Sequence, residues 1–286
     1  MKRFFKIFTG ILALILLCTT SLGLVACKEE ITQVKLTIEV YNFEESELQT
    51  KTVVIDLYED YAPKTVKNII KYVKDGYYNN TVFYKLEGES NQIMIGDIKI
   101  NEQGDLVKNA LMPTVEGEFE SGMVKGSPLK LKTGSIALWR TWLQGDSYSD
   151  SSGVHTGTST WFLPTSDMTS RQAYFCVFAT ISKNADVLTI IKDSLNNTDE
   201  ALEYQLYYTG EYDYDAPSSD YGLTAHIVKA EEYIKDDSVF TPEANPDDDK
   251  DAHFACYQSK KITVAGVGAG AGETIYGARI VSAKVI

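Results

Sequence analysis

The sequence predicts a mainly β domain in which helices cover a sheet. Short segments rich in apolar and β-branched residues recur along the chain between polar turns, as is typical of antiparallel strands. One of them, residues 53–58, is followed by a segment whose apolar residues recur with helical spacing. Because a helix with one apolar face must bury that face, and the strands beside it offer the nearest apolar surface, we expect the helix to lie on a sheet.

The first elements are predicted within residues 33–76. Residues 33–42 alternate between apolar and polar side chains, and residues 51–58 follow after a polar turn, which predicts an antiparallel hairpin. Pro63 suits the first position of the helix, and Gly76 stands where a C-terminal cap is expected. The apolar helix residues recur at i, i+3, i+4 and i+7, namely Val66, Ile69, Ile70 and Val73.

Further regular structure is predicted in the second half of the chain, where residues 185–195 have a helical pattern. The strand-like segments there are residues 134–140, 159–163, 174–181, 262–265 and 278–286. Residues 101–131, rich in glycine and glutamate, are expected to lie outside the core. Because no linker or repeat separates these elements, we expect residues 34–286 to form one domain, with an insertion at about residues 198–257.

Residues 1–27 have the pattern of a bacterial targeting segment. Basic residues stand at its start, residues 7–17 are almost wholly apolar, and Leu24-Val25-Ala26-Cys27 resembles the lipobox of bacterial lipoproteins. This resemblance implies that Cys27 is acylated, that residues 28–33 form a short tether, and that the protein is extracytoplasmic, anchored by lipid to the outer face of the bacterial cell membrane. The alternative is an uncleaved helix, but the apolar stretch is shorter than the ~20 residues that a membrane span needs.

The chain is strongly acidic. It has 27 lysines and arginines against 40 aspartates and glutamates, a formal net charge of −13. Removal of the targeting segment takes away three basic residues and no acidic one, which leaves a net charge of −16. A chain of this charge is not expected to bind nucleic acid or to be drawn to anionic lipid headgroups.

No motif predicts a metal site or a cofactor. The three histidines are widely spaced and have no cysteine or carboxylate partners at zinc-site intervals. The aspartates at 247–249 lack the glycine and glutamate of an EF-hand, and the glycine run at 266–272 lacks the helix that a phosphate loop requires. Both are interpreted as loops. Cys176 and Cys256 could form a disulfide, although two separate thiols are favoured.

Four sequence blocks, in the same order, resemble the cyclophilins, the barrel family of peptidyl-prolyl isomerases. They are Phe83-Tyr84-Lys85 with Met94-Ile95-Gly96-Asp97, then residues 134–139, 159–163 and 177–181. The resemblance covers residues 34–195 and the final strand, with interruptions. It implies a closed eight-stranded antiparallel barrel capped by two α-helices, with long loop insertions. It also implies peptidyl-prolyl cis-trans isomerase activity without a cofactor, on proline-containing peptides or exported proteins.

The resemblance assigns candidate site residues as well. Lys85 stands at the position of the family's catalytic arginine, and it would polarise the substrate amide with one donor in place of a planar fork. Phe162 and Met94 would hold the proline ring, with Gln92 as the alternative to Met94. The full set of substrate-binding candidates is Met94, Trp139, Arg140, Thr160, Phe162 and Phe175.

Several of these positions depart from the family pattern. Thr160 replaces a glutamine, and residues 170–175, which end in Phe175, lack the family's tryptophan and its histidine or tyrosine. Trp139 replaces a small residue at the rim and would fill part of the groove. Backbone groups near Trp139 and Arg140 would bind the flanking peptide.

Two functions follow from this pattern. The first is a cyclophilin-type peptidyl-prolyl isomerase that assists the folding of exported proteins, with lower activity because of the lysine. The second is a barrel that keeps the groove without the catalysis and binds peptides or proteins at the cell surface. In that second case Phe162 and Met94 would be ordinary core residues and Lys85 an exposed strand lysine. A two-lobed solute-binding lipoprotein is disfavoured, because the chain lacks a long alternation of strands and helices.

Overall fold

The hairpin predicted at the start of the domain begins a large antiparallel sheet. The computed structural model of the chain describes residues 31–110, 112–118, 129–140, 156–197, 201–210, 223–234, 259–269 and 273–286. In it, β1 (Gln33–Asn42) and β2 (Glu47–Leu57) pair from Gln33 with Asp56 to Asn42 with Glu47. The other strands are β3 (Thr81–Val82), β4 (Tyr84–Leu86), β5 (Gln92–Ile95), β6 (Ile98–Ile100), β7 (Leu106–Lys108), β8 (Ser135–Leu138), β9 (Trp161–Pro164), β10 (Val177–Lys183), β11 (Ala201–Thr209), β12 (Thr224–Lys229), β13 (Lys260–Ala269), β14 (Glu273–Tyr276) and β15 (Ala278–Val285). The helices are α1 (Pro63–Lys74) and α2 (Val187–Asn196), with 3₁₀ turns at Thr169–Tyr174 and Ala230–Glu232.

A nearly closed barrel is the centre of this sheet. Its strands follow the order β4-β5-β9-β8-β10-β2-β1-β15-β3. Strands β3 and β4 are parts of one segment that is interrupted only at Phe83, whose N–H donates to the carbonyl oxygen of Ala278 at 3.0 Å. The ring therefore returns to its own first segment, and the prediction of a mainly β antiparallel barrel is confirmed. The described residues contain fifteen strands instead of eight, because further strands pair outside the ring.

Both predicted helices are present and cover the barrel. Pro63 lies at the start of α1, and Gly76, with φ of 72°, follows the C-cap residue Asp75. Only Gly and a few other residues adopt this left-handed conformation readily, which explains why the helix ends there. Ile70, which the spacing places on the buried face, is only partly buried, and Tyr72 is buried in its place. The second helix begins at Val187, two residues later than its pattern predicts.

The barrel interior is filled by side chains from the strands and from both helices. Alternate strand residues point inward, as the pleat of a strand requires. Val66 and Ile69 of α1 belong to the same buried cluster as Val187 and Ile191 of α2. The cluster also includes Phe83, between β3 and β4, and the strand residues Leu36, Ile38, Val53, Ile55, Ile93, Trp161, Leu163 and Phe178. The helices therefore complete the core rather than resting on its surface.

The remaining strands form a second, open ring on the other side of the β3–β4 segment. From β3 the path runs through β6 to β7, and from β4 it runs through β13 and β11 to β12. Strands β7 and β12 contact each other without ladder pairing in the described residues. Parts of residues 101–131 and of the insertion at about residues 198–257 thus belong to the sheet. The expectation that residues 101–131 lie outside the core is wrong, because Leu106, Leu129 and Leu131 are buried.

Other features of the sequence are placed as follows. The first part of the glycine run belongs to β13, where Gly266 pairs with Tyr276 of β14. Cys176 is buried without a disulfide, and burial raises the pKa of its thiol to about 12. Cys256 and residues 1–30 lie outside the described residues, and so does Cys27. Within the part that the structure describes, each helix is too short or too polar to cross a lipid bilayer.

Candidate functional site

A groove with a volume of about 420 Å³ lies on the outer face of the barrel, between the two rings. The barrel side contributes Tyr84, Met94, Trp139 and Thr160. The opposite wall comes from the second ring and includes Leu206, Tyr208, Ala225 and Ile262. Three of the residues that the resemblance assigns to the substrate therefore border one groove, namely Met94, Trp139 and Thr160.

Strand register positions the barrel side of the groove. Met94 of β5 pairs with Tyr84 of β4 on one side and with Phe162 of β9 on the other, and Phe162 pairs with Ala137 of β8. Directly paired residues point to the same face of a sheet. These four residues therefore form one row on the outer face, and the residues next to them in sequence point inward.

Three aromatic rings pack together at the Phe162 end of this row. Trp139 lies on Phe175 with ring centroids 6.3 Å apart and against Phe162 at 6.0 Å, and the two phenylalanine rings are 5.0 Å apart. Met94, Phe162 and Phe175 each have 0% of their surface exposed, whereas Trp139 is partly exposed. Phe162 and Phe175 thus lie beneath Trp139, whereas Met94 borders the groove.

Lys85 does not lie with these residues. Strand alternation turns it inward, between the outward-facing Tyr84 and Leu86, and it pairs with Thr263 of β13. Its ammonium group donates to the Oδ1 atom of Asn196 at the end of α2. Burial lowers the pKa of this lysine, and Lys192 lowers it further. The structure places Lys85 in a separate cavity next to α2 and does not bring it to Met94 and Thr160.

The other candidates are divided between the groove and its surroundings. The backbone N–H of Trp139 donates to the carbonyl oxygen of Thr160 at 2.9 Å, so this part of the rim is occupied by a strand contact. Arg140 is buried away from the groove, beside Val115 and Gly157. Gln92, the alternative to Met94, is also buried, and its amide donates to the Oε2 atom of Glu89 at 2.7 Å.

A charged pair that the sequence does not point out borders the same groove. The Nζ atom of Lys108 lies 2.6 Å from the Oδ2 atom of Asp97, and the hydroxyl of Tyr84 donates to Oδ1 at 2.7 Å. The side chains of Lys108 and Asp97 are only 20% and 15% exposed. Burial alone would raise the pKa of Asp97, but Lys108 and the Tyr84 hydroxyl hold it below its usual value. Asp97 stands in a family-like block, whereas Lys108 carries no signal, because only the β6–β7 pairing brings it near.

A second polar contact joins the groove to its rim. The hydroxyl of Tyr77 donates to the carbonyl oxygen of Ala110 at 2.7 Å and accepts from the hydroxyl of Ser159 at 2.8 Å. Both Tyr77 and Ser159 line the groove. Among the described residues, no group of three histidine, cysteine, aspartate or glutamate side chains is arranged to hold a metal ion.

Comparisons with known protein families agree with the ordered sequence blocks. The family model of the cyclophilin type peptidyl-prolyl cis-trans isomerases matches residues 41–207. Peptidyl-prolyl cis-trans isomerase B of Escherichia coli (strain K12) is 30% identical over 148 residues, which cover 49% of this chain and 77% of that protein. Peptidyl-prolyl cis-trans isomerase cyp18 of Streptomyces antibioticus is 24% identical over 151 residues, covering 49% and 76%.

A crystal structure of a cyclophilin type peptidyl-prolyl cis-trans isomerase from Cryptosporidium parvum superposes with a TM-score of 0.37 at 16% identity. The superposition covers 58% of this chain and 88% of that one. The family model matches more than half of the 286 residues. The chain therefore belongs to the cyclophilin-type peptidyl-prolyl cis-trans isomerase family.

Proposed function

We propose that this protein binds extended, proline-containing segments of exported proteins in the groove and that its prolyl isomerase activity is weak. Family membership supports the peptide class. Weak catalysis is supported by the complete burial of Phe162 and Phe175 beneath Trp139, because a buried pocket residue cannot contact a proline ring. A groove of about 420 Å³ is large enough for a few residues of an extended chain, since ligand pockets span roughly 300–1,000 Å³.

The chemistry of the reaction explains why these features matter. Rotation about a prolyl bond faces a barrier of about 20 kcal/mol from amide resonance, and no covalent step is needed to lower it. An isomerase must instead hold the proline ring in an apolar pocket and aim a donor at the twisted amide. Here Phe162 and Phe175 lie beneath Trp139, Lys85 faces another cavity, and Lys108 pairs with Asp97. Peptide binding needs neither the open pocket nor the aimed donor.

Efficient isomerisation is the second candidate function. Both curated relatives carry the name peptidyl-prolyl cis-trans isomerase. The partial exposure of Trp139 favours this candidate, because rotation of its side chain toward solvent would uncover the Phe162 ring 6.0 Å away. In the first candidate Trp139 stays over Phe162 when peptide binds, and in the second it moves away.

Measurement of cis/trans exchange in a short X-Pro peptide by NMR separates these candidates. We expect the wild-type protein to broaden and shift the peptide resonances while it accelerates exchange only slightly. Trp139→Ala should increase the exchange rate, because it uncovers Phe162. Lys85→Ala should leave exchange unchanged, since Lys85 lies outside the groove. Circular dichroism melting checks that both variants fold.

Two results would count against the proposal. Strong acceleration by the wild-type protein that disappears in Lys85→Ala would establish efficient isomerisation and return the catalytic role to Lys85. Absence of any peptide signal in the wild-type protein and in Trp139→Ala would remove the groove as a peptide site.

We also propose that the mature protein begins at an acylated Cys27 and is anchored to the outer face of the cell membrane. The lipobox-like residues 24–27 and the apolar stretch before them support this localisation. Intact mass measurement of the protein from its native membrane should show the acyl chains, and Cys27→Ser should abolish them. An unmodified N-terminus on the native protein would exclude the anchor.

A further inference from the structure

Helix α1 carries four lysines and no acidic residue. Lys64, Lys67, Lys71 and Lys74 are all exposed. Their spacing of three, four and three residues places them on one face of a helix. The buried residues of α1, among them Val66, Ile69 and Val73, pack into the barrel core on the opposite side. The lysines therefore form a basic face that points away from the barrel.

Few acidic groups neutralise this basic face. Lys64 forms an exposed ion pair with Glu116. Lys67, Lys71 and Lys74 have no ion pair within the described ranges. The acidic residues that flank the helix in sequence are Glu59, Asp60 and Asp75. A chain with a net charge of −13 thus presents three unpaired positive charges on one helix face.

The basic face lies at the end of the barrel where β1 begins. The carbonyl oxygen of Thr32 accepts from the N–H of Leu57, the last residue of β2. After the helix, the side chain of Asn79 accepts from the N–H of Ala283 near the end of β15. Helix α2 lies at the other end, because Ser194 bonds to the carbonyl oxygen of Tyr41 near the end of β1.

An exposed apolar residue accompanies the lysines at this end. Ile286 is 60% exposed. Its N–H donates to the carbonyl oxygen of Gln33 at 2.9 Å, which keeps Ile286 beside the start of β1. An exposed mixture of apolar and basic side chains is typical of surfaces that touch the headgroup region of a membrane.

The position of Cys27 limits how far this end can lie from a membrane. Thr32 is the fifth residue after Cys27 in the sequence. A fully extended chain of that length spans at most about 18 Å. If Cys27 is acylated, the tether lets α1 approach the bilayer to within the Debye length of about 8–10 Å over which anionic headgroups attract lysines.

We propose that the basic face of α1, together with Ile286, docks on anionic lipid headgroups. The proposal rests on the lipid anchor proposed above, which brings the partner to this end of the barrel. The net charge alone predicts repulsion from such a surface, but the fold gathers the unpaired lysines of α1 at the end of the barrel where β1 begins. The domain would then sit on the membrane in one orientation instead of swinging on its tether.

The test is flotation of the mature chain carrying Cys27→Ser, which keeps the whole compact unit of residues 32–286. The vesicles contain phosphatidylcholine alone or phosphatidylcholine with phosphatidylglycerol. The triple variant Lys67→Gln, Lys71→Gln and Lys74→Gln removes the unpaired charges of the basic face. The matched control, Lys132→Gln, Lys183→Gln and Lys192→Gln, removes three exposed lysines elsewhere and changes the net charge equally.

We expect binding to phosphatidylglycerol vesicles at low salt and none to phosphatidylcholine alone. The α1 variant should lose about a hundredfold in affinity, since each lysine near an anionic surface contributes roughly fivefold. The control should lose little, and added salt should weaken binding through charge screening.

Three results would overturn the proposal. One is the absence of wild-type binding to phosphatidylglycerol vesicles, and another is an equal loss in the control variant. The third is binding to a soluble polyglutamate peptide without binding to vesicles, which would make an acidic polypeptide the partner. Acylation of Cys27 is read separately from the intact mass of the native protein, so failure of the anchor is distinguishable from failure of the docking face.

Discussion

Asp97 borders the groove with most of its surface out of water, and it keeps its charge there because of two neighbours. Lys108 supplies the opposite charge at 2.6 Å, and Tyr84 donates a hydrogen bond to the other oxygen at 2.7 Å. Desolvation would otherwise favour the neutral carboxyl group. Because the pKa of Asp97 is lower in the folded than in the unfolded protein, its contribution to stability is complete above pH ~4 and is lost as the pH falls through the folded pKa.

Removal of the lysine should reverse this pH dependence. In Lys108→Met the desolvated carboxylate has no cation, and we expect the free energy of unfolding at pH 7 to fall by about 3 kcal/mol. The pKa of Asp97 should then exceed its unfolded value, so that the variant gains stability as the pH falls from 7 to 5. Urea denaturation at the two pH values measures both effects.

The double variant Asp97→Asn with Lys108→Met is the control for that prediction. It removes both charges, and we expect it to recover much of the lost stability and to show no gain between pH 7 and pH 5. If Lys108→Met were as stable at pH 7 as the wild type, the prediction would be wrong, and water would solvate the Asp97 carboxylate in the absence of the lysine.

Helix α1 depends on a side chain from a distant segment. Its N-cap residue, Ala62, offers no side-chain acceptor. Glu118 is buried and accepts from the backbone N–H of Lys64 at 2.9 Å and of Thr65 at 2.7 Å. A carboxylate at this position satisfies free N–H groups and complements the positive end of the helix dipole. The segment of residues 112–118 is thereby attached to the barrel.

Glu118→Ala should therefore destabilise the protein by about 2 kcal/mol, because two helix N–H groups lose a charged acceptor. Chemical denaturation measures the difference. The control is Glu116→Ala, which removes an exposed carboxylate two positions away and should cost less than about 0.5 kcal/mol. Equal effects of the two substitutions would mean that Glu118 contributes only its charge.

The elements show where sequence patterns were sufficient and where they were not. The spacing of Val66 and Ile69, with Pro63 and Gly76 at the ends, predicts α1 closely, because these signals act within a few residues of the chain. The direction of Lys85 is different. A motif match aligns residues in sequence, but the pairing of Tyr84 with Met94 determines which neighbour faces outward. Register is a property of two strands, and one strand alone does not specify it.

The insertion at about residues 198–257 contributes strands β11 and β12 to the second ring. Strand β11 pairs with β13 from Ala201 with Ala265 to Leu206 with Lys260. Tyr204 and Tyr208 are buried, whereas Tyr207 is partly exposed and stacks on His226 with ring centroids 5.0 Å apart. Tyr212 and Tyr214 lie outside the described residues. Tyr204 therefore packs in the same buried cluster as Ile262 and Val264 of β13, and Tyr208 borders the groove.

Deletion of residues 198–257 should disrupt both stability and peptide binding. A linker that replaces the deleted residues must span about 17 Å along β13, from the level of Ala265 to that of Lys260, because five strand steps rise roughly 3.3 Å each. Without β11, the outer faces of Ile262 and Val264 lose their cover, and the groove loses Leu206 and Tyr208. We expect a lower melting temperature, binding of the dye ANS, and loss of the peptide signal.

Leu206→Ala is the smaller test of the same idea. It removes one buried residue of the groove wall and should cost about 2–3 kcal/mol in stability while it weakens peptide binding. A deleted chain that keeps its melting temperature and its peptide affinity would show that the second ring serves neither the core nor the groove.

The amino-acid sequence was sufficient for the mainly β class, both helices and the cyclophilin resemblance, because these depend on local spacing and on ordered short blocks. Tertiary structure decided the rest. It placed Lys85 in a cavity beside α2, put Trp139 over Phe162, and joined Asp97 to Lys108 across the β6–β7 pair. Each of these contacts depends on strand register or on pairing between segments distant in the chain, and the free energy of such contacts is absent from any single segment.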